Sequence, residues 1–202
     1  MIMRLGQITA ALVLVAASPV LAALAGLILV GQGRPILFRQ ARSGQQGKTF
    51  TLIKFRSMQD TRDGAGLLLP DADRTTRIGA FLRRSRLDEV PGLWNVARGE
   101  MNWIGPRPLL PPTIRDLGER GRERCRVRPG LTGYSQISGN TLLDLDEKIA
   151  LDLWYVKQRS FWLDASIFAR TLGVIVLGER LRNHLDGEVR ARATCSDRRT
   201  NN

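Results

Sequence analysis

The strongest pattern in the chain stands at its start. From Leu5 to Gly33 no side chain is charged, yet Ser18-Pro19 sits in the middle of the run. About 20 apolar residues suffice to cross a bilayer, so length alone permits a span. The flanks argue for another path. Arg4 precedes the run, and Arg34, Arg39, Arg42, Lys48, Lys54 and Arg56 follow it. Basic residues beside a membrane segment tend to stay cytoplasmic, and both flanks obey that rule only if they lie on one side. Proline removes a backbone donor and clashes with the preceding turn, which costs a helix interior about 3 kcal/mol. A break there leaves two arms, Leu5–Ala17 and Val20–Gly31, each about 18–20 Å long and matched to one leaflet. The pattern therefore predicts a re-entrant helix-break-helix hairpin over residues 1–33, with Ser18 and Pro19 as the membrane break. Two readings compete: a straight transmembrane helix with a tolerated proline, and a cleaved signal peptide using the small residues around Ala22, Ala23 and Ala25.

Beyond the run the periodicity shortens. Ile36-Leu37-Phe38 and Phe50-Thr51-Leu52-Ile53 are β-rich and flank the turn-prone Ser43–Gly47, which predicts a β-hairpin within Pro35–Met58. Asp60 to Thr75 reads as a polar loop. Ile78, Phe81 and Leu82 fall on one helical face, with Arg83, Arg84 and Arg86 at its end. A short helix is expected to start at Asp88, with Pro91 in its first turn and Gly99 closing it. Gly105-Pro106-Arg107-Pro108 reads as a rigid loop. Asp144 to Lys157 has helical spacing through Leu145, Ile149, Leu153 and Val156. Phe161 to Leu177 is apolar but interrupted by Asp164 and Arg170. It suits an interfacial helix anchored by Trp162 and Phe168, or a buried core helix. Trp94 and Trp103 are expected in the core. The fold class is thus α+β and mainly helical: the membrane hairpin at 1–33, a compact catalytic domain with a short β-hairpin and interfacial amphipathic helices at 34–178, and a basic tail at 179–202 predicted to be disordered.

Charge narrows the partners. The formal net charge is +12, and only four of the 31 basic residues are lysines. Arginine presents a planar fork that suits phosphate, so nucleic acid, an anionic membrane surface and a phosphorylated substrate all remain open. The two cysteines, Cys125 and Cys195, make no disulfide framework and fit a reducing compartment. Cys125 lies among Arg122, Arg124, Arg126 and Arg128, a setting able to lower its pKa, though an incidental thiol is the plainer reading. The single histidine, His184, joins no cluster with zinc-ligand spacing. Any metal is therefore expected to be oxygen-bound, Mg2+ or Mn2+.

Candidate chemistry centres on Asp88-Glu89. Adjacent carboxylates at a helix start sit in a positive backbone field, with Arg83, Arg84 and Arg86 just upstream. An ionised aspartate can attack phosphorus, and a neighbouring glutamate can hold a cation or move a proton. Arginines stabilise a transferring phosphoryl group. The bland alternative is a cap plus a solvated side chain.

Several ordered segments carry a resemblance over nearly the whole chain before the tail. Lys54-Phe55-Arg56-Ser57-Met58 matches a K-F-R-S-M strand. Arg83, Ser85, Leu87, Asp88 and Glu89 match R-x-S-x-L-D-E. Gly105-Pro106-Arg107-Pro108 matches a G-P-R-P loop, and Val127 to Gly133 matches V-R-P-G-x-T-G, with Gln136 in its expected place. Asp152 and Tyr155-Val156-Lys157 match D-x-x-Y-V-K. On these segments the chain resembles the bacterial sugar transferase family, the monotopic phosphoglycosyl transferases, and among them the small members without extra N-terminal spans.

The resemblance implies a phosphoglycosyl transferase. Such an enzyme moves a phospho-sugar from a UDP-sugar to undecaprenyl phosphate, releasing UMP, at the cytoplasmic face of the bacterial plasma membrane as the first membrane step of a glycan pathway. By that likeness Asp88 is the nucleophile of a covalent aspartyl-phosphosugar intermediate and a Mg2+ ligand, and Glu89 supports metal or proton handling. Lys54, Arg56, Arg83, Arg107, Arg128 and Gln136 are the substrate-binding candidates. Membrane lipids are the implied surroundings, nucleic acid is not an expected partner, and a homodimer is a compatible assembly. Gly92, Glu100, Asn102 and Asn140 depart from the usual pattern, and Asn140 points to altered donor choice. The alternatives are an inactive membrane-bound homologue acting as a scaffold and, from the arginine excess, a tethered nucleic-acid binder.

Overall fold

The computed structural model describes residues 2–177, so the basic tail, His184 and Cys195 lie outside the described residues. The chain divides into two compact units. The first joins the residues up to Gln40 with Thr51–Arg98, and the second joins Ala41–Phe50 with the residues from Gly99 onward.

The first unit opens with α1, Ile2–Gln32, a single α-helix with Pro19 inside it. The expected break between two arms is therefore absent at the level of secondary structure. Its local cause is visible: the hydroxyl of Ser18 donates 2.8 Å to the carbonyl of Val15, the acceptor that Pro19, lacking an N–H, leaves empty. Among the described residues α1 is the one helix long and apolar enough to cross a membrane. Its C-terminal half is anchored in the core of its own unit. Leu24 and Ile28, one turn apart, are buried with Phe55 and Leu82, and Leu21, Ala25, Ile36, Leu37, Ile78 and Leu87 pack around them. Leu5, Ile8, Leu12, Val13, Val15, Val20, Leu27, Leu29 and Val30 are exposed, an apolar surface far larger than single scattered side chains would make.

The expected hairpin is present. Strands β1 (Leu37–Ser43) and β2 (Thr49–Phe55) form a two-stranded sheet around a 3-10 turn at Gln45–Gly47. The loop that follows is more ordered than its composition suggests. Asp63 Oδ1 accepts from the N–H groups of Ala65 and Leu67, and Arg62 pairs with Leu68 across the turn. Short α2 (Asp71–Arg74) and then α3 (Arg77–Arg84) follow, with Thr76 capping α3 through its hydroxyl to the N–H of Gly79. Leu82 is buried and Ile78 packs beside it, but Phe81 is 55% exposed, so the expected three-residue face is only partly a core face. Gly79 is required by proximity: a Cβ there would collide with the carbonyl oxygen of Ser57. A 3-10 helix at Leu87–Gly92 then runs into α4 (Leu93–Ala97).

The second unit holds what periodicity did not reveal, a parallel pairing of two three-residue strands. In it β3 (Asn102–Ile104) lies beside β4 (Gly130–Thr132), with Asn102 opposite Gly130 and Ile104 opposite Thr132. Helices α5 (Pro111–Asp116) and α6 (Gly118–Arg124) connect them, and the one-turn α7 (Tyr134–Ile137) follows. Helix α8 (Leu145–Gln158) begins with a reciprocal capping box between Asp144 and Glu147. Its buried face is Ile149, Leu151, Asp152 and Tyr155, whereas Leu145 is exposed. The final helix, α9 (Phe161–Leu177), buries Ile167 in a core with Ile104, Tyr134, Ile137, Leu143, Leu151 and Tyr155. Phe161 and Trp162 on its first turn are exposed, so it combines a core stripe with an exposed aromatic start.

Candidate active site

In the first unit, β2 carries Lys54, ends on the buried Phe55, and is followed at once by Arg56. Successive side chains of a strand point to opposite faces, so Lys54 leaves the core face that Phe55 enters. Their uses differ. Lys54 Nζ stands 2.8 Å from Glu89 Oε1, a half-buried pair whose side chains are 18% and 14% exposed. Arg56 instead caps the end of α1. It donates to the carbonyls of Gly33 at 2.9 Å and Arg34 at 3.0 Å, and more closely to that of Gln32. Cationic side chains complement the negative end of a helix, so Arg56 ties α1 to the strand that presents Lys54.

Asp88 and Glu89 occupy the first turn of the 3-10 helix. The expected α-helical start does not form there because Pro91 and Gly92 interrupt α-helical bonding. The positive field of a long helix is therefore replaced by side-chain charge: Lys54 and, at 3.9 Å, Arg86 face Glu89. Arg86 itself holds a left-handed conformation, φ 59°, and turns the chain from α3 into the dyad. Asp88 is buried, with 8% of its surface exposed. Arg83 lies on the exposed side of α3, its Nη1 3.4 Å from the Thr75 hydroxyl.

Asn95 is a residue whose role the sequence does not announce. It is 1% exposed, and its amide bonds β2 as a neighbouring strand would. Its Nδ2 donates 2.7 Å to the carbonyl of Thr51, and its Oδ1 accepts from the N–H of Ile53 at 3.2 Å. The α4 turn that follows the dyad is thereby fixed to the strand bearing Lys54. Trp94, its neighbour, is 51% exposed, which corrects the expectation of a core tryptophan there. Trp103 does pack on the core of the second unit, edge-on to Phe168 with ring centroids 6.4 Å apart.

The remaining candidates, Arg107, Arg128 and Gln136, belong to the second unit. The Gly105–Pro108 loop leaves β3, and its packing requires glycine: a Cβ at Gly105 would strike the backbone at Arg128 and Gly130, and one at Gly133 would strike the Gly105 carbonyl. Beneath the loop lies a buried ion pair, Arg124 with Asp152, at 2.6 Å and side chains 3% and 2% exposed. Arg124 Nη2 also donates to the carbonyl of Arg107. The Ser135 hydroxyl donates 2.8 Å to the other Asp152 oxygen. Burial pushes the Asp152 carboxyl up, while the charge and hydrogen bonds of Arg124, the Ser135 hydroxyl and the charge of Arg107 pull it down. Gln136 is 4% exposed. Its Nε2 donates 3.3 Å to the Leu131 carbonyl, and its Oε1 is a buried acceptor without a partner. Arg128 Nε donates 3.3 Å to Gln45 Oε1.

A carboxylate dyad gripped by a strand lysine, with arginine-bearing loops elsewhere in the chain, suits transfer of a phosphorylated group, and comparison with known proteins agrees. The model of the family described as bacterial sugar transferase matches residues 1–178, and the chain belongs to that family of transferases. It is 39% identical over 188 residues to the sugar transferase EpsL of Bacillus subtilis (strain 168), covering 92% of this chain and 93% of that one. It is 39% identical over 175 residues to an undecaprenyl-phosphate glucose phosphotransferase of Komagataeibacter xylinus, covering 80% of this chain and 33% of the relative. An Escherichia coli (strain K12) protein named UDP-glucose:undecaprenyl-phosphate glucose-1-phosphate transferase is 35% identical over 175 residues, covering 82% of this chain and 38% of the relative. The chain thus spans about a third of the length of these last two relatives.

Proposed function

We propose that this protein transfers a phospho-sugar from a UDP-sugar to undecaprenyl phosphate, and that Asp88 is its nucleophile. The observation carrying the reading is the buried Asp88 carboxylate beside the Lys54-paired Glu89, in a chain of this family. Relatives named for UDP-glucose and for undecaprenyl phosphate support the donor and acceptor classes.

In the proposed reaction a carboxylate oxygen of Asp88 attacks the phosphorus that bears the sugar. The bond from that phosphorus to the bridging oxygen breaks, and UMP departs with the electron pair. An oxygen of undecaprenyl phosphate then attacks the same phosphorus, forms the lipid diphosphate-sugar and releases the Asp88 carboxylate. Lys54 keeps Glu89 oriented throughout. Arg83, Arg107, Arg128 and Gln136 are the proposed substrate contacts, and Arg56 acts by holding α1 against β2.

Magnesium fits this donor set in one form only. Among the described residues no three His, Cys, Asp or Glu side chains converge to hold a metal. A Mg2+ ion commonly binds one or two carboxylates and completes its shell with water and substrate phosphate. Asp88, with Glu89 next to it, would hold such an ion, which would supply charge neutralisation at the diphosphate.

For α1 we propose the re-entrant path, bent at Pro19, with both ends on the cytoplasmic face. Its support is the basic flank on each side of the run and the proline at its midpoint.

Intact-mass measurement after adding a UDP-sugar without acceptor tests the chemistry. A panel including UDP-glucose and UDP-galactose should leave one phospho-sugar adduct on the wild type and none on Asp88→Asn. An adduct of unchanged yield on folded Asp88→Asn would refute Asp88 as the nucleophile.

A further inference from the structure

One continuous helical run carries both the dyad and a buried amide, and it is tied to β2 at each. Leu87–Gly92 passes without a break into α4, so Glu89 and Asn95 lie on the same stretch of chain. Lys54 holds Glu89 at 2.8 Å. Asn95 holds the backbone of Thr51 and Ile53 through bonds of 2.7 Å and 3.2 Å. The pattern of these bonds is that of a parallel strand, because one amide gives its N–H to the carbonyl before Leu52 and accepts the N–H after it. Backbone groups of alternate strand residues point to opposite edges. The N–H of Arg56 donates 2.9 Å to the carbonyl of Ile36, just before β1, so Thr51 and Ile53 face the other edge. The sheet has two strands, and at that edge the side chain of Asn95 stands in for a third.

Two ties fix what one leaves loose. An ion pair on a flexible lysine stem restrains a distance and lets the run pivot about it. The Asn95 side chain is short and its donor and acceptor bracket Leu52, so one position of α4 along β2 makes both bonds. Leu52 and Lys54 are about 7 Å apart along the strand. Glu89 and Asn95 are about 9–12 Å apart along the helical run. The attachments are therefore separate points, and together they set the direction of the run as well as its distance from β2. Asp88 directly precedes Glu89 and is buried, so its carboxylate turns with that direction.

We propose that Asn95 is a positioning residue for the dyad. By fixing α4 to the edge of β2 it aims Asp88 and keeps Glu89 within reach of Lys54. The proposal rests on the reading above for what Asp88 does once aimed, and not for the placement itself.

Activity and placement are measured separately, on the full chain in detergent micelles. For activity, wild type, Asn95→Leu, Asn95→Ser and Val96→Ala are compared by UMP release at a temperature where each is folded. The substrate is the UDP-sugar of the panel above that labels the wild type. Leucine keeps the volume of the side chain and takes the amide away from the Thr51 carbonyl and the Ile53 N–H. Serine keeps a hydroxyl able to serve one of the two, and replaces the leucine variant throughout if that one does not fold. Val96 is the buried neighbour on α4 and takes no part in either bond, so Val96→Ala loosens packing without touching the edge. Misplacing a reacting group by about 1 Å costs about 100-fold in rate. Asn95→Leu should therefore lower kcat about 100-fold with KM for the UDP-sugar within about threefold. Asn95→Ser should fall between it and wild type. Val96→Ala should melt earlier and keep kcat within about twofold.

For placement, the coupling between Lys54→Met and Glu89→Gln is taken from a double-mutant cycle of denaturant unfolding, with and without the Asn95 substitution. It should fall to less than about half once the amide is gone. A folded Asn95 variant with the kcat of Val96→Ala, or with the full Lys54–Glu89 coupling, overturns the positioning role. A rise in KM at unchanged kcat overturns it too, since that is loss of uniform binding. A wild type that forms no phospho-sugar adduct sinks the proposed reaction, and the coupling cycle then decides the placement alone.

Discussion

Lys54 Nζ lies 2.8 Å from Glu89 Oε1, which ties the end of β2 to the turn that carries Asp88. The pair has more weight than an exposed ion pair because Glu89 is only 14% exposed and Arg86 stands 3.9 Å away on its other oxygen. Removing the lysine charge leaves a half-buried carboxylate with its nearest cation gone, and that carboxylate adjoins the proposed nucleophile. Lys54→Met should lower stability by about 1–3 kcal/mol and lower kcat by about 10- to 100-fold. Lys54→Arg should recover part of kcat. Steady-state UMP release with matched melting curves checks this. A folded Lys54→Met enzyme of normal kcat would show that the pair is only a fastener.

Pro19 and Ser18 make the second prediction. Ser18 supplies the bond to Val15 that proline cannot, so α1 continues as one element while its backbone ladder lacks an N–H at Pro19. Pro19→Ala restores that donor and removes a penalty of about 3 kcal/mol from the helix interior. A straightened helix this long is expected to cross the bilayer and carry its N-terminus to the other face. Single-cysteine labelling at position 3, in a chain with Cys125→Ser and Cys195→Ser, reads the result. A membrane-impermeant reagent should label Met3→Cys only after cells are opened, and should label it in intact cells once Pro19→Ala is added. Labelling in intact cells without that change would exclude the re-entrant path.

Breaking the ion pair beneath the Arg107 loop should separate stability from function. Arg124 and Asp152 are almost fully buried, and removal of one partner leaves an uncompensated charge, a cost of about 3–5 kcal/mol. Replacing both with apolar residues removes that penalty, so Arg124→Met with Asp152→Leu should regain most of the lost stability. It should not regain activity, because nothing then grips the Arg107 carbonyl or orients the Ser135 hydroxyl next to Gln136. Denaturant unfolding paired with KM for each substrate distinguishes the two effects. Full activity in the double variant would show that the pair serves folding alone.

Local signals are legible in the sequence where long-range pairings are not. The apolar run at Leu5–Gly33 falls in α1, as one helix rather than two arms, the turn residues at Ser43–Gly47 fall in the hairpin, and the helical spacing from Asp144 to Lys157 falls in α8. Each depends on residues within a few positions of one another. The pairing of β3 with β4 joins Asn102 to Gly130, and three-residue strands leave no alternation to detect. The role of Asn95 is not legible locally because its partners, Thr51 and Ile53, are more than 40 positions earlier. The dyad at Asp88-Glu89 was visible as a motif, but its helix was not, since Pro91 and Gly92 favoured 3-10 geometry over a longer α-helix. Helical spacing alone places Phe81 inward, and a surface position satisfies the same spacing.

Cys125 shows how tertiary context decides between two local readings. Its neighbours in the chain are arginines, which by charge would favour a reactive thiolate. In the structure the residue is 6% exposed, and burial raises the thiol pKa. The charge of Arg124 and a backbone hydrogen bond from Gly47 oppose that effect without overcoming it. A raised pKa leaves a smaller thiolate fraction at every pH below it, and burial also blocks approach of a reagent. In a Cys195→Ser background, native Cys125 should therefore react with iodoacetamide at neutral pH at least about tenfold more slowly than in denaturant. Its labelling rate should rise as pH increases while the fold holds. Rapid labelling of the native protein at neutral pH would mean that the arginines, not the burial, set the chemistry of this sulfur.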